Sequence, residues 1–244
     1  MSMVPHSADV AFWRDERHGP LPAPLLVLTV VTGLVDAVSF LKLGHVFVAN
    51  MTGNVAFLGF AVAGAKDFSA PASLVAIFAF LAGALAGGRL GASTGDHRGR
   101  FLALATYIQI AVFGAALATS IAAPVDNGNF PQYALIVLLA SAMGLQNAAA
   151  RRLGVPDLTT TVLTLTLTGI AADSTFAGGA NPNPGRRLAA TAAMFLGAAV
   201  GAFLIFYAGT TAVLALALVL LVSNGIVANK LSSSSDAWTV GTQR

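Results

Sequence analysis

Two asparagines, a threonine and a glycine stand together inside a strongly apolar stretch, at Asn50, Thr52, Gly53 and Asn54. Amide, hydroxyl and backbone oxygens of this kind can replace the water around a polar solute or a dehydrated ion. A glycine also permits the turn that ends a half-helix. The pattern predicts a solute-binding or pathway site. The alternative is a structural break that is stabilised by its own side chains.

Asp36 is the only acidic residue well inside an apolar segment. A charge at the membrane centre costs about 3 kcal/mol on insertion scales, so such a residue normally faces a cavity or a partner. Asp36 is therefore a candidate to relay a proton or cation, or to contact the solute. The alternative is a packing carboxylate that is hydrogen-bonded to Asn147 or to a threonine. Asn147 holds the matching place in the second half, where an interhelical hydrogen bond is an equally good interpretation.

Threonines are frequent in the segment around residue 164. Thr161, Thr164 and Thr168 fall on one helical face with Asp157, at spacings of four, three and four residues. A stripe of hydroxyl groups predicts the lining of a wetted pathway. The alternative is that each threonine bonds the carbonyl four residues earlier, which is harmless in lipid.

Residue sets that are typical of metal, cofactor or enzyme chemistry do not occur in the sequence. There are no cysteines, Glu16 is the only glutamate, and His45 has no second ligand type at metal-binding spacing. The Walker A, G-x-S-x-G and H-E-x-x-H patterns do not occur either. We therefore expect no metal, no cofactor and no enzymatic activity.

The composition predicts a protein that crosses a membrane several times. Hydrophobic residues make up 56% of the chain and charged residues 9%, with a mean hydropathy of +0.78, whereas soluble domains are about 25% charged. Eight apolar stretches are long enough to cross a bilayer, at residues 23–43, 46–65, 70–93, 101–123, 131–150, 158–177, 188–208 and 210–229. We expect a cytoplasmic tail at 1–22, without a signal peptide, a transmembrane domain at 23–229 and a disordered tail at 230–244.

The two halves of the transmembrane domain, 23–123 and 131–229, resemble each other. Gly33 and Asp36 recur as Gly144 and Asn147, 111 positions later, within the runs GLVDA and GLQNA. The third and seventh segments each carry a G-x-x-x-G pair. This pattern predicts an internal duplication.

The distribution of Lys and Arg decides the predicted topology. If all eight segments crossed the membrane, the 13 basic residues would divide seven against six, although bacterial membrane proteins normally concentrate them in cytoplasmic loops. If segments 46–65 and 158–177 enter and return on the same side, only Lys42 and Lys66 lie outside. The sequence therefore predicts six spans, two broken or re-entrant segments, cytoplasmic termini and an inverted repeat. A parallel repeat of eight full spans is the alternative.

The run GLVDAVSFLKLGHVFVANMTGNVAFLG resembles the signature of the DUF1275 or YoaK-like family of bacterial membrane proteins of unknown function. The run GLQNAAARRLGVPDLTTTVLTLTLTGIAADS is similar to the matching region of the same family. The resemblance extends over about residues 23–229 and implies a small multi-helix membrane protein, with no established substrate or catalytic residue. Thr164-Leu165 stands here where some members have a Thr-Gly pair similar to Thr52-Gly53, which argues against two identical half-sites.

These observations favour a secondary transporter or channel-like permease for a small polar solute or ion, located in the bacterial inner membrane. Residues 50–54 would meet residues 160–168 at the midplane, and Asp36 would couple a proton or tune selectivity. The alternative is a membrane scaffold or accessory subunit that transports nothing.

The expected partners are the lipid bilayer and the solute, and no nucleic acid. The glycine pairs Gly83/Gly87 and Gly197/Gly201 predict close helix packing, either within the chain or between copies in a homo-oligomer. The arginine pairs 151/152 and 186/187 are predicted to set the topology, with anionic lipid headgroups or an anionic solute as further ligands.

Overall fold

The architecture is that of an all-α bundle in a computed structural model of the chain, which describes residues 17–125, 128–160, 163–180 and 183–240. Its α-helices are α1 (Pro22–Lys42), α2 (Met51–Val62), α3 (Ala70–Ser93), α4 (Arg98–Ala122), α5 (Phe130–Leu153), α6 (Leu163–Ala172) and α7 (Pro184–Ser232). Short 3-10 helices follow at Thr175–Ala177 and Ala237–Thr239. No β-strand occurs in the described ranges, which confirms the all-α part of the prediction.

Capping side chains and prolines determine where the helices begin and end. The side chain of Ser69 accepts the N–H of Ala72 at 3.3 Å before α3, and that of Asn129 accepts the N–H of Gln132 at 3.0 Å before α5. Both helices also have proline in their first turn, where no intrahelical N–H is needed. Helix α5 ends at Leu153 and is followed by Gly154 in the left-handed conformation, with φ of 62°.

Five of the described helices are long and apolar enough to cross a membrane: α1, α3, α4, α5 and α7. Helix α7 has 49 residues and is interrupted at Gly209, where φ is 83° and ψ is 175°. The interruption separates the two predicted segments 188–208 and 210–229. Each part of α7 is about 35 Å long at 1.5 Å per residue, which is enough for a hydrocarbon core of about 30 Å.

Helix α1 lies at the centre of the bundle. It packs mainly against α7, while α3 packs against α5 and α4 packs against both α7 and α5. In the most apolar part of α1, 78% of residues are buried, against 28% in α3 and in α7. The outer faces of α3 and α7 expose large apolar side chains such as Phe78, Leu81 and Phe203. Such faces are typical of contact with lipid.

Two glycines allow the central helices to approach each other closely. A Cβ atom on Gly33 of α1 would lie 2.5 Å from the Met194 carbonyl oxygen of α7, and one on Gly144 of α5 would lie 2.0 Å from that of Phe80 in α3. Both distances are far below van der Waals contact, so only glycine fits at either crossing. Gly33 and Gly144 occupy matching positions in the two halves, 111 residues apart. Their respective partners, Met194 and Phe80, are 114 residues apart.

Both G-x-x-x-G pairs are used in these same crossings. Gly83 and Gly87 lie against α5, and Gly197 and Gly201 lie against α1. A homo-oligomer joined through these four glycines would have to displace α5 or α1, so within this fold the glycines serve packing inside one chain.

Helices α2 and α6 are too short to cross a bilayer. They have 12 and 10 residues, or about 18 Å and 15 Å at 1.5 Å per residue. Helix α2 packs on α3, and α6 packs on α7. The segments 46–65 and 158–177 therefore each contain a loop followed by a short helix.

The first and the last segments that the structure describes meet two helix ends at one end of the bundle, around Arg98 at the start of α4. The Arg98 guanidinium donates to the carbonyl of Arg17 at 3.4 Å, to that of Trp238 at 3.3 Å and to that of Leu153, the last residue of α5. We call this the Arg98 end. The loops that follow α1 and α2 lie away from it, and there His45 and the backbone oxygen of Asp67 are 3.1 Å apart.

The tail predicted to be disordered from residue 230 is ordered as far as residue 240. Helix α7 continues to Ser232, and Trp238 then packs its ring against Gly19, leaving 7% of the residue exposed. The Trp238 indole also donates to Asp236 at 3.2 Å. Burial of one large aromatic side chain explains why a serine-rich segment is held in place. Residues 1–16 and 241–244 lie outside the described part of the chain.

Candidate functional site

Asp36 lies near the end of α1 and faces the loop that leads to α2. The residue is 6% exposed, and its Oδ1 accepts the backbone N–H of Ala49 at 3.3 Å. Asn147 instead donates to the carbonyl of Met143 in its own helix at 2.9 Å. The two residues of the predicted pair are thus held by different elements, Asp36 by the loop at 43–50 and Asn147 by α5.

Asn54 closes the loop between α1 and α2. Its side chain accepts the N–H of Phe47 at 2.8 Å and donates to the Phe47 carbonyl at 2.5 Å and to Met51 Sδ at 3.6 Å. The residue is completely buried. These contacts support the structural alternative for Asn54, and its part in a pathway stays a prediction.

Asn50, Thr52 and Gly53 form the first turn of α2 beside that loop. The Asn50 side chain caps the helix by accepting the N–H of Gly53 at 3.4 Å. Asn50 and Thr52 are both exposed, so their polar atoms remain accessible from outside the bundle. Gly53 lies against the ring of Phe47, which a Cβ atom would approach to 2.6 Å.

An aromatic cluster covers the same end of the first half. Phe40 stacks on Phe47 with ring centroids 5.2 Å apart, Phe47 stacks on Phe57 at 5.7 Å, and Phe57 stacks on Phe68 at 4.8 Å. The sequence analysis did not single out these residues, because phenylalanines in an apolar segment do not differ from ordinary lipid-facing ones. The cluster places an apolar layer beside the loop at 43–50 and beside Asn54, which is bonded to Phe47.

The threonines of α6 point in different directions. Thr164 and Thr168 are exposed, and Thr168 donates to the Thr164 carbonyl at 2.8 Å. Thr166, two residues from each, is buried. The bond from Thr168 to the carbonyl four residues earlier is the alternative that the sequence left open. Thr161 lies outside the described residues.

Arg187 joins three parts of the second half. Its guanidinium binds Asp157 at 3.0 Å, Asp173 at 2.7 Å and the Gly169 carbonyl at 2.5 Å. It therefore connects the loop after α5, the end of α6 and the start of α7. The structure thus places Asp157 in an ion pair instead of along the threonine face, and the same arginine pairs with Asp173.

Three polar side chains join α1, α4 and α5 in the core. Gln146 donates to Thr32 Oγ1 at 2.8 Å and to the Leu28 carbonyl at 3.2 Å, and it accepts from Gln109 at 2.9 Å. All three side chains are buried. The sequence analysis missed Gln109, although a lone glutamine in the apolar segment 101–123 was a signal that could have indicated it.

The two short helices do not meet. Within the described residues α2 contacts α3, α6 contacts α7, and no contact joins α2 to α6. Residues 51–54 of α2 therefore do not meet residues 163–168 of α6 as expected, and residues 161 and 162 of the predicted contact lie outside the described part of the chain. The physical reason is that Arg187 and its ion pairs hold α6 against α7, while Asn54 and the aromatic cluster hold the α2 loop against α1.

Comparison with known proteins agrees with this architecture. The sequence profile of a family described as proteins of unknown function (DUF1275) matches residues 24–226. The chain belongs to the DUF1275 family. The matched range begins in α1 and ends in the second part of α7, so it includes both loops and both short helices of this DUF1275 protein.

A relative of this DUF1275 protein is the UPF0700 transmembrane protein YoaK of Bacillus subtilis (strain 168). The two sequences are 32% identical over 149 residues, which is 61% of this chain and 65% of YoaK. The match thus spans a little less than two thirds of the relative. No solved structure matches the chain. The family, the relative and the five long apolar helices together identify a membrane protein.

Proposed function

We propose that this DUF1275 protein is a secondary transporter or channel-like permease for a small polar solute or ion, and not an enzyme. The observation that carries the proposal is the burial of Asp36 beside the loop of a broken membrane segment. A carboxylate at such a position is costly in an apolar bundle and is typical of ion and substrate pathways. Many secondary transporters build their sites from interrupted segments of this kind.

The proposed topology has six crossings, with α2 and α6 as re-entrant elements. The contacts at the Arg98 end support it, because the start of α4 lies there with Arg17 and Trp238, which are near the two ends of the described chain. Eight full crossings would place the α3–α4 turn on the opposite face from the termini.

The direction of α4 relative to α7 also supports six crossings. Gly99 lies against Leu231, Gly225 lies against Ile110, and Thr211 donates to the Ser120 carbonyl, so α4 and the second part of α7 run antiparallel. With eight crossings these two elements would run parallel. The reciprocal glycine contacts of Gly33 and Gly144 further support two halves of opposite orientation, as in an inverted repeat.

Single-cysteine labelling tests this topology directly, because the chain has no native cysteine. With α2 re-entrant, we expect Lys42→Cys and Lys66→Cys to react with a membrane-impermeant maleimide from the same face of the membrane. Arg100→Cys and Lys230→Cys should react only from the other face, which we assign to the cytoplasm. All four side chains are exposed, so accessibility does not depend on unfolding. Labelling of positions 42 and 66 from opposite faces would contradict the topology.

Replacing Asp36 tests the proposed site. Purified protein in vesicles of phosphatidylethanolamine and phosphatidylglycerol (3:1) would be tested with inorganic cations, inorganic anions, amino acids and small sugars. Uptake is measured by swelling and by an enclosed pH dye. We expect Asp36→Asn to lower the uptake rate of the transported solute at least tenfold, which corresponds to an increase of about 1.4 kcal/mol in the free-energy barrier to transport. The matched control Asp96→Asn changes an exposed aspartate in the α3–α4 turn and should transport normally.

A scaffold or accessory subunit is the second candidate function. It is favoured by the internal hydrogen bonds of Asn54 and by the separation of α2 from α6. If folded wild-type protein moves none of these solutes faster than empty vesicles do, the scaffold is the better description. An unchanged flux in Asp36→Asn would instead reject Asp36 as part of the pathway.

A further inference from the structure

A groove of about 730 Å³ lies between α3 of the first half and α5 of the second half. Its walls are mostly apolar or small, and polar groups stand at one end. Its lining includes Ala84, Gly88, Asn147, Ala148, Arg151 and Arg152. The groove extends to the last turn of α5, where a membrane helix passes from the hydrocarbon core into the headgroup region.

Two arginines at this end are available to an external anion. Arg151 and Arg152 lie in the last turn of α5, both are exposed, and neither forms a salt bridge with any described residue. The Arg152 guanidinium carbon lies 5.8 Å from the Phe101 ring centroid, and its Nη2 is 3.5 Å from the Gly95 carbonyl. These contacts orient the Arg152 side chain, and none of them brings a carboxylate of a described residue to its charge.

In the other part of the groove, none of the described lining residues is charged, and there is free space. A Cβ atom on Gly88 would have no heavy atom within 4 Å, although Gly87 beside it is packed against Ala148 and Leu145. The wall continues from Gly88 to Ala84, one turn deeper in the apolar helix α3. A small free anion would contact the arginines and leave this wall uncovered, whereas an anionic lipid has a charged group and an apolar chain at matching positions.

We propose that the groove is a binding site for an anionic phospholipid. The phosphate lies between the guanidinium groups of Arg151 and Arg152, and an acyl chain lies along Gly88 and Ala84. Guanidinium groups suit this role because they present several donors to phosphate oxygens. This site is independent of the proposed transport activity, since it requires only that the protein lies in a membrane.

Native mass spectrometry of the detergent-solubilised chain tests the site with two lipids of equal chain length, phosphatidylglycerol and phosphatidylcholine. We expect preferential retention of phosphatidylglycerol. The double variant Arg151→Gln/Arg152→Gln should weaken its apparent affinity about 30-fold, because each basic residue near an anionic headgroup contributes about fivefold. The control Arg100→Gln/Lys230→Gln removes the same charge from exposed positions at the same end of the bundle and should retain the lipid.

A second variant tests the apolar part of the groove without changing any charge. Gly88→Leu fills open space, so the variant should fold normally and still lose phosphatidylglycerol. It therefore tests the site even if the arginine variant does not fold. Equal binding of the two lipids, or wild-type binding by the folded variants, would overturn the proposal. Competition by millimolar inorganic phosphate that removes the lipid completely would also overturn it, because the site would then be one for free anions.

Discussion

Replacing Gly144 with leucine is expected to prevent this DUF1275 protein from folding stably. The α3 backbone occupies the place of the new side chain: a Cβ atom would lie 2.0 Å from the Phe80 carbonyl oxygen and 2.8 Å from the Ala84 nitrogen. Backbone atoms cannot rotate away, so α3 and α5 would have to separate. We expect destabilisation of about 3 kcal/mol or more, at or above the upper end of ordinary overpacking. The variant and the wild type are compared as purified fluorescent fusions, by whether each elutes as a monodisperse peak and by its melting temperature.

The mirrored contact provides a second test of the same idea. Gly33→Leu should behave like Gly144→Leu, because Gly33 meets the Met194 carbonyl and the Ala198 nitrogen of α7 in the same way. Gly114→Leu is the matched control, since a Cβ atom there has no heavy atom within 4 Å. A Gly144→Leu protein that elutes and melts like the wild type would show that α3 and α5 do not cross as described.

Replacing Arg187 with glutamine has the second large expected effect. The substitution leaves the carboxylates of Asp157 and Asp173 without their cation and removes the donor to the Gly169 carbonyl. Loss of one partner from a buried ion pair typically costs 3–5 kcal/mol. We expect a loss of about 3 kcal/mol in the free energy of unfolding, because half-exposed Asp173 recovers part of its hydration. Unfolding by increasing denaturant in mixed micelles gives the value.

Two further variants separate a specific role of Arg187 from a general effect of charge. Arg187→Lys keeps the charge but cannot make the same divergent set of bonds, so we expect an intermediate loss. Arg100→Gln removes an exposed arginine that makes no salt bridge with a described residue, and its stability should match the wild type. If Arg187→Gln is as stable as Arg100→Gln, then Arg187 does not hold α6 and the loop after α5 in place.

Features that depend on local composition and spacing could be predicted from the sequence. The all-α membrane class follows from long apolar segments with few charges, and the break at Gly209 falls between two such segments. The matching glycines of the two halves could be recognised in the sequence, because a close crossing of two helices leaves no room for any residue larger than glycine. The cap at Asn50 and the bond from Thr168 to the Thr164 carbonyl depend on residues within one turn, so they too were among the stated alternatives.

Features that depend on which helix faces which were decided only by the tertiary structure. The bond between Gln109 and Gln146, the attachment of Asp157 to Arg187 and the packing of Trp238 on Gly19 join residues that are distant in sequence. The separation of α2 from α6 is of the same kind. Apolar periodicity indicates that a segment is helical and buried in a membrane, but most of these helix faces are equally apolar. Their partners are therefore selected by side-chain shape and by a few buried polar bonds, which exist only once the bundle has assembled.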